Sequence, residues 1–283
     1  MSEITGWQYY KGALLPTCAP DETVDASMVE SNEIWKGSCR NAIFARWTSQ
    51  FDCGYETQWW YVIKTEPFDL SALNAKKRYK VNRGLRMFEV RRIDPVGYME
   101  DIYRVQVAAY ADYPEKYRPT VDQQKLFDTI RTEWTGPDVL VYGAFHRETG
   151  SLEGYIQMTV NGNCINSNAQ KATPAYEKFQ INYALLAGVL EDLKDKLAGE
   201  YYVSVGSRNV QHETAFQDFV EDIFGFRKAY CKLNVAYNPR FGWAVPVLYM
   251  FRGLLAKLDQ IGIVHKINGV LKMEQIVRSQ GRG

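Results

Sequence analysis

From position 87 onward, apolar and polar residues fall into blocks whose period switches between two and 3.6, the spacings that separate strands from helices. Met87–Ile93 alternates as a strand, with Phe88 and Val90 on one side, and Asp94-Pro95 breaks it. Tyr98–Tyr110 reads as a helix with Ile102, Val105 and Ala109 on one face. A loop over Asp112–Pro119 leads to a second helix, Val121–Trp134, with Leu126, Phe127 and Ile130 inward and Gly136-Pro137 as its stop. Val139–Phe145, Leu152–Val160 and Cys164–Gln170 then read as strands joined by Glu148-Thr149-Gly150 and by Asn161-Gly162. The second of these is a hairpin signal, because both positions tolerate positive φ. These three predict an antiparallel meander.

Phe179–Leu197 predicts the longest helix, with Leu186, Leu190, Leu193 and Leu197 at helical spacing. Tyr201–Val205 reads as a buried strand. Asn209 is placed to cap the next helix, whose face is Phe216, Phe219, Val220, Ile223 and Phe224 and whose end is Gly225. Phe226–Tyr237 is a long strand closed by Pro239. Upstream, Ser71 is read as the cap of a helix that Gly84 ends. Residues 1–63 carry five tryptophans and two short strands, Asn41–Trp47 and Trp59–Lys64. Pro246–Lys272 predicts one or two amphipathic helices. The chain therefore divides into an aromatic-rich N-terminal region (1–70), a main domain (71–238) and a C-terminal helical extension (239–283).

Composition narrows the chemistry. The 283 residues carry a net charge of +1, which gives no global field for nucleic acid or membrane. The five cysteines show no CxxC spacing, and an odd number argues against a disulfide framework. Three histidines make a multi-histidine metal site improbable, so no metal is expected. GxxxxGK[ST], GxSxG and HExxH are absent. The first residues do not read as a secretory signal, and no apolar run is long enough to span a bilayer. A cytoplasmic location follows, with a peripheral membrane position left open by the basic C-terminal segment.

The element order from Met87 is β-α-α-β-β-β-α-β-α-β. With Arg208-Asn209, a short aromatic helix and Phe224-Gly225-Phe226-Arg227-Lys228, it resembles the GNAT (GCN5-related N-acetyltransferase) superfamily. The basic helix starting Lys76-Lys77-Arg78 resembles the FemAB-like branch. The resemblance implies an α+β fold, with a mixed, mostly antiparallel sheet flanked by helices. Beside it stand the aromatic-rich N-terminal β region and the C-terminal helical appendage. It implies an acyltransferase that moves an acyl or aminoacyl group from a thioester or ester donor to an amine, on a sugar or other cell-envelope precursor. The donor would lie where Cys164–Gln170 and Tyr201–Val205 splay, with a helix N-terminus near Tyr176–Phe179.

The residues expected there are Lys171, Tyr176, Lys178, Asn182, Arg208 and Asn209 for the donor, with Glu213, His212, Tyr230 and Tyr202 as acid–base candidates. Two features depart from the GNAT pattern. Residues 171–178 hold no glycine where coenzyme A-binding members have a glycine loop, and Phe216–Phe224 holds no tyrosine to protonate a leaving thiolate. No tightly bound cofactor is expected. Acyl-coenzyme A is the reference cosubstrate, while aminoacyl-tRNA and a carrier protein stay open as donors, and a homo-oligomer as assembly. The rival reading is a GNAT-like scaffold without catalysis. A third, an RNA-binding module, would act through the six cations of Lys76–Arg86.

Overall fold

A computed structural model of the chain describes residues 3–4, 6–36, 39–113, 115, 118–210 and 215–280. The early strands are β1 (Glu3–Ile4), β2 (Trp7–Tyr10) and β3 (Ala13–Pro16), followed by the short helix α1 (Ser27–Glu30), β4 (Phe44–Ser49) and β5 (Trp59–Lys64). The middle of the chain forms α2 (Ala75–Met87), β6 (Phe88–Arg92), α3 (Met99–Ala111), α4 (Gln123–Glu133), β7 (Val139–His146), β8 (Leu152–Asn161) and β9 (Cys164–Ala172). Then come α5 (Ile181–Asp192), α6 (Lys194–Leu197), β10 (Tyr202–Ser207), α7 (Ala215–Phe224) and β11 (Arg227–Tyr237). The C-terminal helices are α8 (Pro239–Gly242), α9 (Ala244–Met250), α10 (Arg252–Lys257) and α11 (Gly262–Gln280).

The chain divides into two compact units. One comprises Met1–Val62, Ser207–Ala215 and Lys228–Gly283; the other comprises Ile63–Gly206 and Phe216–Arg227.

In the first unit β1 to β3 form an antiparallel ribbon. β3 pairs parallel with β4, and β4 pairs antiparallel with β11. Trp7, Leu14, Ile34, Trp35 and Ala45 form one core, with Trp7 meeting Trp47 edge-on at 5.9 Å. Trp59, Cys231 and Leu233 form another with Met273 and Ile276 of α11.

In the second unit the strand order is β10-β9-β8-β7-β6. β9 and β10 are parallel and the remaining pairs antiparallel, so the expected meander is present. α5 covers one face, where Gly154 lies under Ile181 and Leu185. α3 and α4 cover the other, where Tyr155 packs with Ile102, Val105, Leu126 and Ile130. Successive residues of β8 thus point to opposite layers, as strand geometry requires.

Four local expectations are corrected. Gly84 does not end its helix: it is buried inside α2, and a Cβ there would come within 2.5 Å of the Gln180 carbonyl oxygen, so the glycine permits close packing on α5. The cap is Asn74, whose side chain accepts the Lys77 N–H at 3.0 Å, while Ser71 sits in a separate 3-10 turn held by Asp69. The Phe179–Leu197 helix begins later, at Ile181, because Pro174–Phe179 forms a 3-10 turn and Gln180 takes φ of 68°. The residues between Val210 and Ala215 lie outside the described ones, and with them the place where Asn209 was expected to cap α7. The C-terminal appendage begins before Pro246 and continues past Lys272, as α9, α10 and α11.

Candidate active site at the fork between β9 and β10

β9 and β10 pair over three positions: Tyr202 with Cys164, Val203 with Ile165 and Ser204 with Asn166. Beyond them β9 continues to Ala172, still registered on β8, whereas β10 parts from it. Two local features end the ladder. The Ser204 hydroxyl oxygen accepts the Gly206 N–H at 3.1 Å, and Gly206 takes φ of +96°, outside strand geometry. A register shift in the β8–β9 pairing leaves Asn168 as a bulge, which bends the strand at the same level. Alternate residues of the free part of β9 therefore turn their N–H and C=O groups to an edge that β10 does not fill.

Side chains surround this edge on both faces. On the α5 side the Gln170 amide Nε2 donates to Asn182 Oδ1 at 2.9 Å. Gln170 Oε1 and Thr173 Oγ1 are buried and lack a hydrogen-bond partner among the described residues. Orphaned polar atoms of this kind are costly in a closed core and mark places where a ligand's polar group can bind. On the α3 side the Lys171 ammonium stands 4.5 Å from the Tyr110 ring centroid, and burial lowers its pKa.

A polar strip continues along β8. Tyr155 donates to Gln106 Oε1 at 3.0 Å, and burial pushes its hydroxyl pKa up, so it stays protonated. Thr159 Oγ1 accepts Asn168 Nδ2 at 2.6 Å and Gln157 Nε2 at 3.3 Å, and Asn166 Nδ2 donates to Asn168 Oδ1 at 2.5 Å. Buried Glu153 pairs with Arg104 at 3.3 Å. Sequence reasoning missed this strip. Its signal was there, in the polar spacing of Glu153, Tyr155, Gln157 and Thr159 within an otherwise apolar strand.

The segment between β9 and α5 does not fit the pyrophosphate of coenzyme A. It holds no glycine, and four of its amides are already bonded: Tyr176 N–H to Thr173 O, Gln180 N–H to Glu177 O, and Tyr183 and Ala184 N–H to Gln180 O. A phosphate cradle needs such donors free and a backbone without Cβ atoms.

The remaining sequence-predicted residues are dispersed. Tyr176 packs its ring between Phe88, His146 and Phe179, and Lys178 is exposed beside Phe179. Tyr202 is buried at the closed end of the fork. In the first unit Arg208 and Tyr230 come together around Trp60. The guanidinium is 4.7 Å from the indole, Tyr230 is edge-on at 6.0 Å, and Lys228 is 4.8 Å away. Trp60 was not foreseen as part of any site. Asn209 stands exposed on the same segment as Arg208. His212 and Glu213 lie outside the described residues. Within the basic run, Lys77 is tied to Asp222 at 2.6 Å and Lys80 to the Tyr183 hydroxyl at 3.3 Å.

Three solved structures align with parts of the chain. FemX aligns with a TM-score of 0.54 at 10% identity, over 82% of this chain and 83% of its own. The C-terminal DUF2156 domain of a putative lysylphosphatidylglycerol synthetase from Agrobacterium fabrum aligns with a TM-score of 0.50 at 11% identity, over 87% and 84%. The fold is GNAT-like. A PaiA N-acetyltransferase from Thermoplasma acidophilum, solved with coenzyme A, matches at 23% identity over 38% of this chain and 73% of its own, with a TM-score of 0.32. No family model matches the chain, and no curated protein matches it in sequence. At such identities the GNAT likeness concerns the fold, and function has to be argued from the fork.

Proposed function

We propose that the protein is an acyltransferase that moves an acyl or aminoacyl group from a thioester or ester onto an amine, the acceptor being a sugar or other cell-envelope precursor. The observation that carries this reading is the parting of β10 from β9 after Ser204 and Asn166. An extended, amide-bearing donor lies along the free edge of β9 and completes the sheet in place of β10. Main-chain N–H groups there polarise the donor carbonyl and stabilise the oxyanion that forms as the amine attacks. Holding donor and acceptor together supplies much of the rate.

The amine must lose a proton, and His212 or Glu213 serves as base, with Tyr230 or Tyr202 returning a proton to the leaving group. Lys171, Tyr176, Lys178, Asn182, Arg208 and Asn209 are the donor-side residues. Gln170 and Thr173 join them, because their orphaned oxygens accept N–H groups of a bound ligand. The closed pyrophosphate segment favours a donor gripped by its acyl arm over one gripped by its phosphates.

The test is a thermal-shift series with acetyl- and longer-chain coenzyme A, aminoacyl-tRNA and acyl carrier protein. A saturable rise with one donor is expected, followed by acyl transfer to an amine that His212→Ala or Glu213→Gln slows without abolishing the shift. Silence with every donor sinks the transferase reading and leaves a scaffold, the alternative that the closed phosphate segment also favours.

A further inference from the structure

Among the described residues, sixteen large apolar side chains stand exposed, and nine of them fall between Phe241 and Ile263. Trp243 is 73% exposed, Met250 71% and Ile263 66%, with Phe251, Leu254 and Ile261 each above half. Single exposed apolar residues are ordinary, but a run of this density in one helical segment marks a surface that meets something apolar.

The segment is built inside out. Several of its polar groups bond to one another: buried Asn268 Nδ2 donates to Leu255 O at 3.0 Å and to Asp259 Oδ1 at 2.7 Å, and His265 Nδ1 is 2.9 Å from Asp259 Oδ2. Tyr249 lies between the guanidinium groups of Arg252 and Arg278, at 4.4 and 4.3 Å. These contacts fix α9 and α10 on α11, leaving the apolar side chains outward.

Charge identifies the occupant. Residues 239–266 hold four exposed cations, Arg240, Arg252, Lys257 and Lys266, against one carboxylate, Asp259, which is already engaged by Asn268 and His265. In a two-fold dimer the same patch would meet itself and set cations against cations. A surface carrying phosphates over hydrocarbon satisfies both halves of the pattern.

We propose that the surface formed by α8, α9, α10 and the start of α11 docks on an anionic lipid bilayer, with Trp243, Phe251, Leu254 and Ile263 entering the headgroup boundary and Arg240, Arg252, Lys257 and Lys266 meeting lipid phosphates. It lies in the interface and does not cross it. No helix among the described residues is long and apolar enough to span a membrane.

The experiment is co-sedimentation of the full chain with vesicles of equal parts phosphatidylglycerol and phosphatidylcholine, and with phosphatidylcholine alone. Binding to the mixed vesicles is expected, about ten-fold weaker on phosphatidylcholine and in high salt. Leu254→Glu and the pair Lys257→Glu, Lys266→Glu should each lower binding to the mixed vesicles by a similar factor while leaving the melting temperature unchanged. The substituted positions are exposed, and the melting temperature verifies that the variants fold. Wild-type protein that stays in the supernatant overturns the proposal, as does Leu254→Glu binding like wild type or equal binding to both vesicle types. A wild-type dimer that Leu254→Glu dissociates, without vesicle binding, overturns it in favour of self-association.

Discussion

The Ser204 hydroxyl oxygen takes the Gly206 N–H at 3.1 Å, two residues along the same strand. That bond removes a donor from the ladder where β10 parts from β9, and the φ of +96° at Gly206 turns the chain away. A Cβ at Gly206 meets no atom within 4 Å, so the restriction is in the backbone and not in space.

Gly206→Ala should therefore cost about 1–3 kcal/mol, the usual range for a residue forced into a sparse φ region. A melting temperature lowered by several degrees checks it. Ser204→Ala should cost about 1–3 kcal/mol by leaving the Gly206 amide without its acceptor. If the fork binds donor, Gly206→Ala also weakens the donor-induced thermal shift; an unchanged shift would separate fork geometry from donor binding.

Gly84→Ala tests the contact of α2 with α5. The methyl would sit 2.5 Å from Gln180 O and 3.0 Å from Ala184 N, both backbone atoms that cannot swing aside. Overpacking of this kind costs about 1–3 kcal/mol. Chemical denaturation should show a lower midpoint with an unchanged slope. Equal stability would mean that the two helices move apart freely.

Lys64 is 7% exposed, and burial lowers its pKa, with Glu66 acting in the opposite direction. The unfolded lysine titrates near ~10.4. Between the lowered folded value and that value, the unfolded chain binds more protons, so this residue makes stability rise with pH. Lys64→Met should flatten that rise over the alkaline side and stabilise the protein at neutral pH. Urea midpoints taken across the range decide it, and parallel curves for the two proteins would count against it.

Cysteine labelling gives an independent measure of packing. Burial pushes the Cys231 thiol up to about 12, with Cys53 and Asp52 adding to the effect, and Cys39 and Cys164 are also buried. Cys18 and Cys53 are only half-buried. A thiol reagent at neutral pH should modify Cys53 and Cys18 in the native protein and reach the other three only after denaturation. Rapid native labelling of Cys231 contradicts the packing around Trp59.

Local pattern alone was enough for the strands from β5 onward and for most helices, whereas β1 to β3 were not read from it. Trp59–Lys64 was read with its observed bounds, and Val139–Phe145 and Leu152–Val160 differ from the observed strands by one residue each. Period-two and period-3.6 burial leave their mark directly on residue order, and Asn161-Gly162 can close only a tight turn. The β-α-α-β-β-β-α-β-α-β order, and with it the GNAT likeness, was legible for the same reason.

What the tertiary structure decided are relations between residues distant in sequence. Gly84 looked like a helix stop because glycine serves both as a terminator and as a thin spot, and only Gln180 against it distinguishes the two. The length of the β9–β10 pairing depends on a Ser204 side-chain bond and a glycine dihedral that residue order does not encode by itself. Arg208 and Tyr230 are brought together by Trp60, nearly 150 positions earlier than Arg208. The outward apolar face of α9 and α10 shows only in the exposure of Val247, Met250 and Leu254, which residue order does not give. Hydrophobic periodicity tells which residues share a face; which face meets the core is settled by packing that spans the chain.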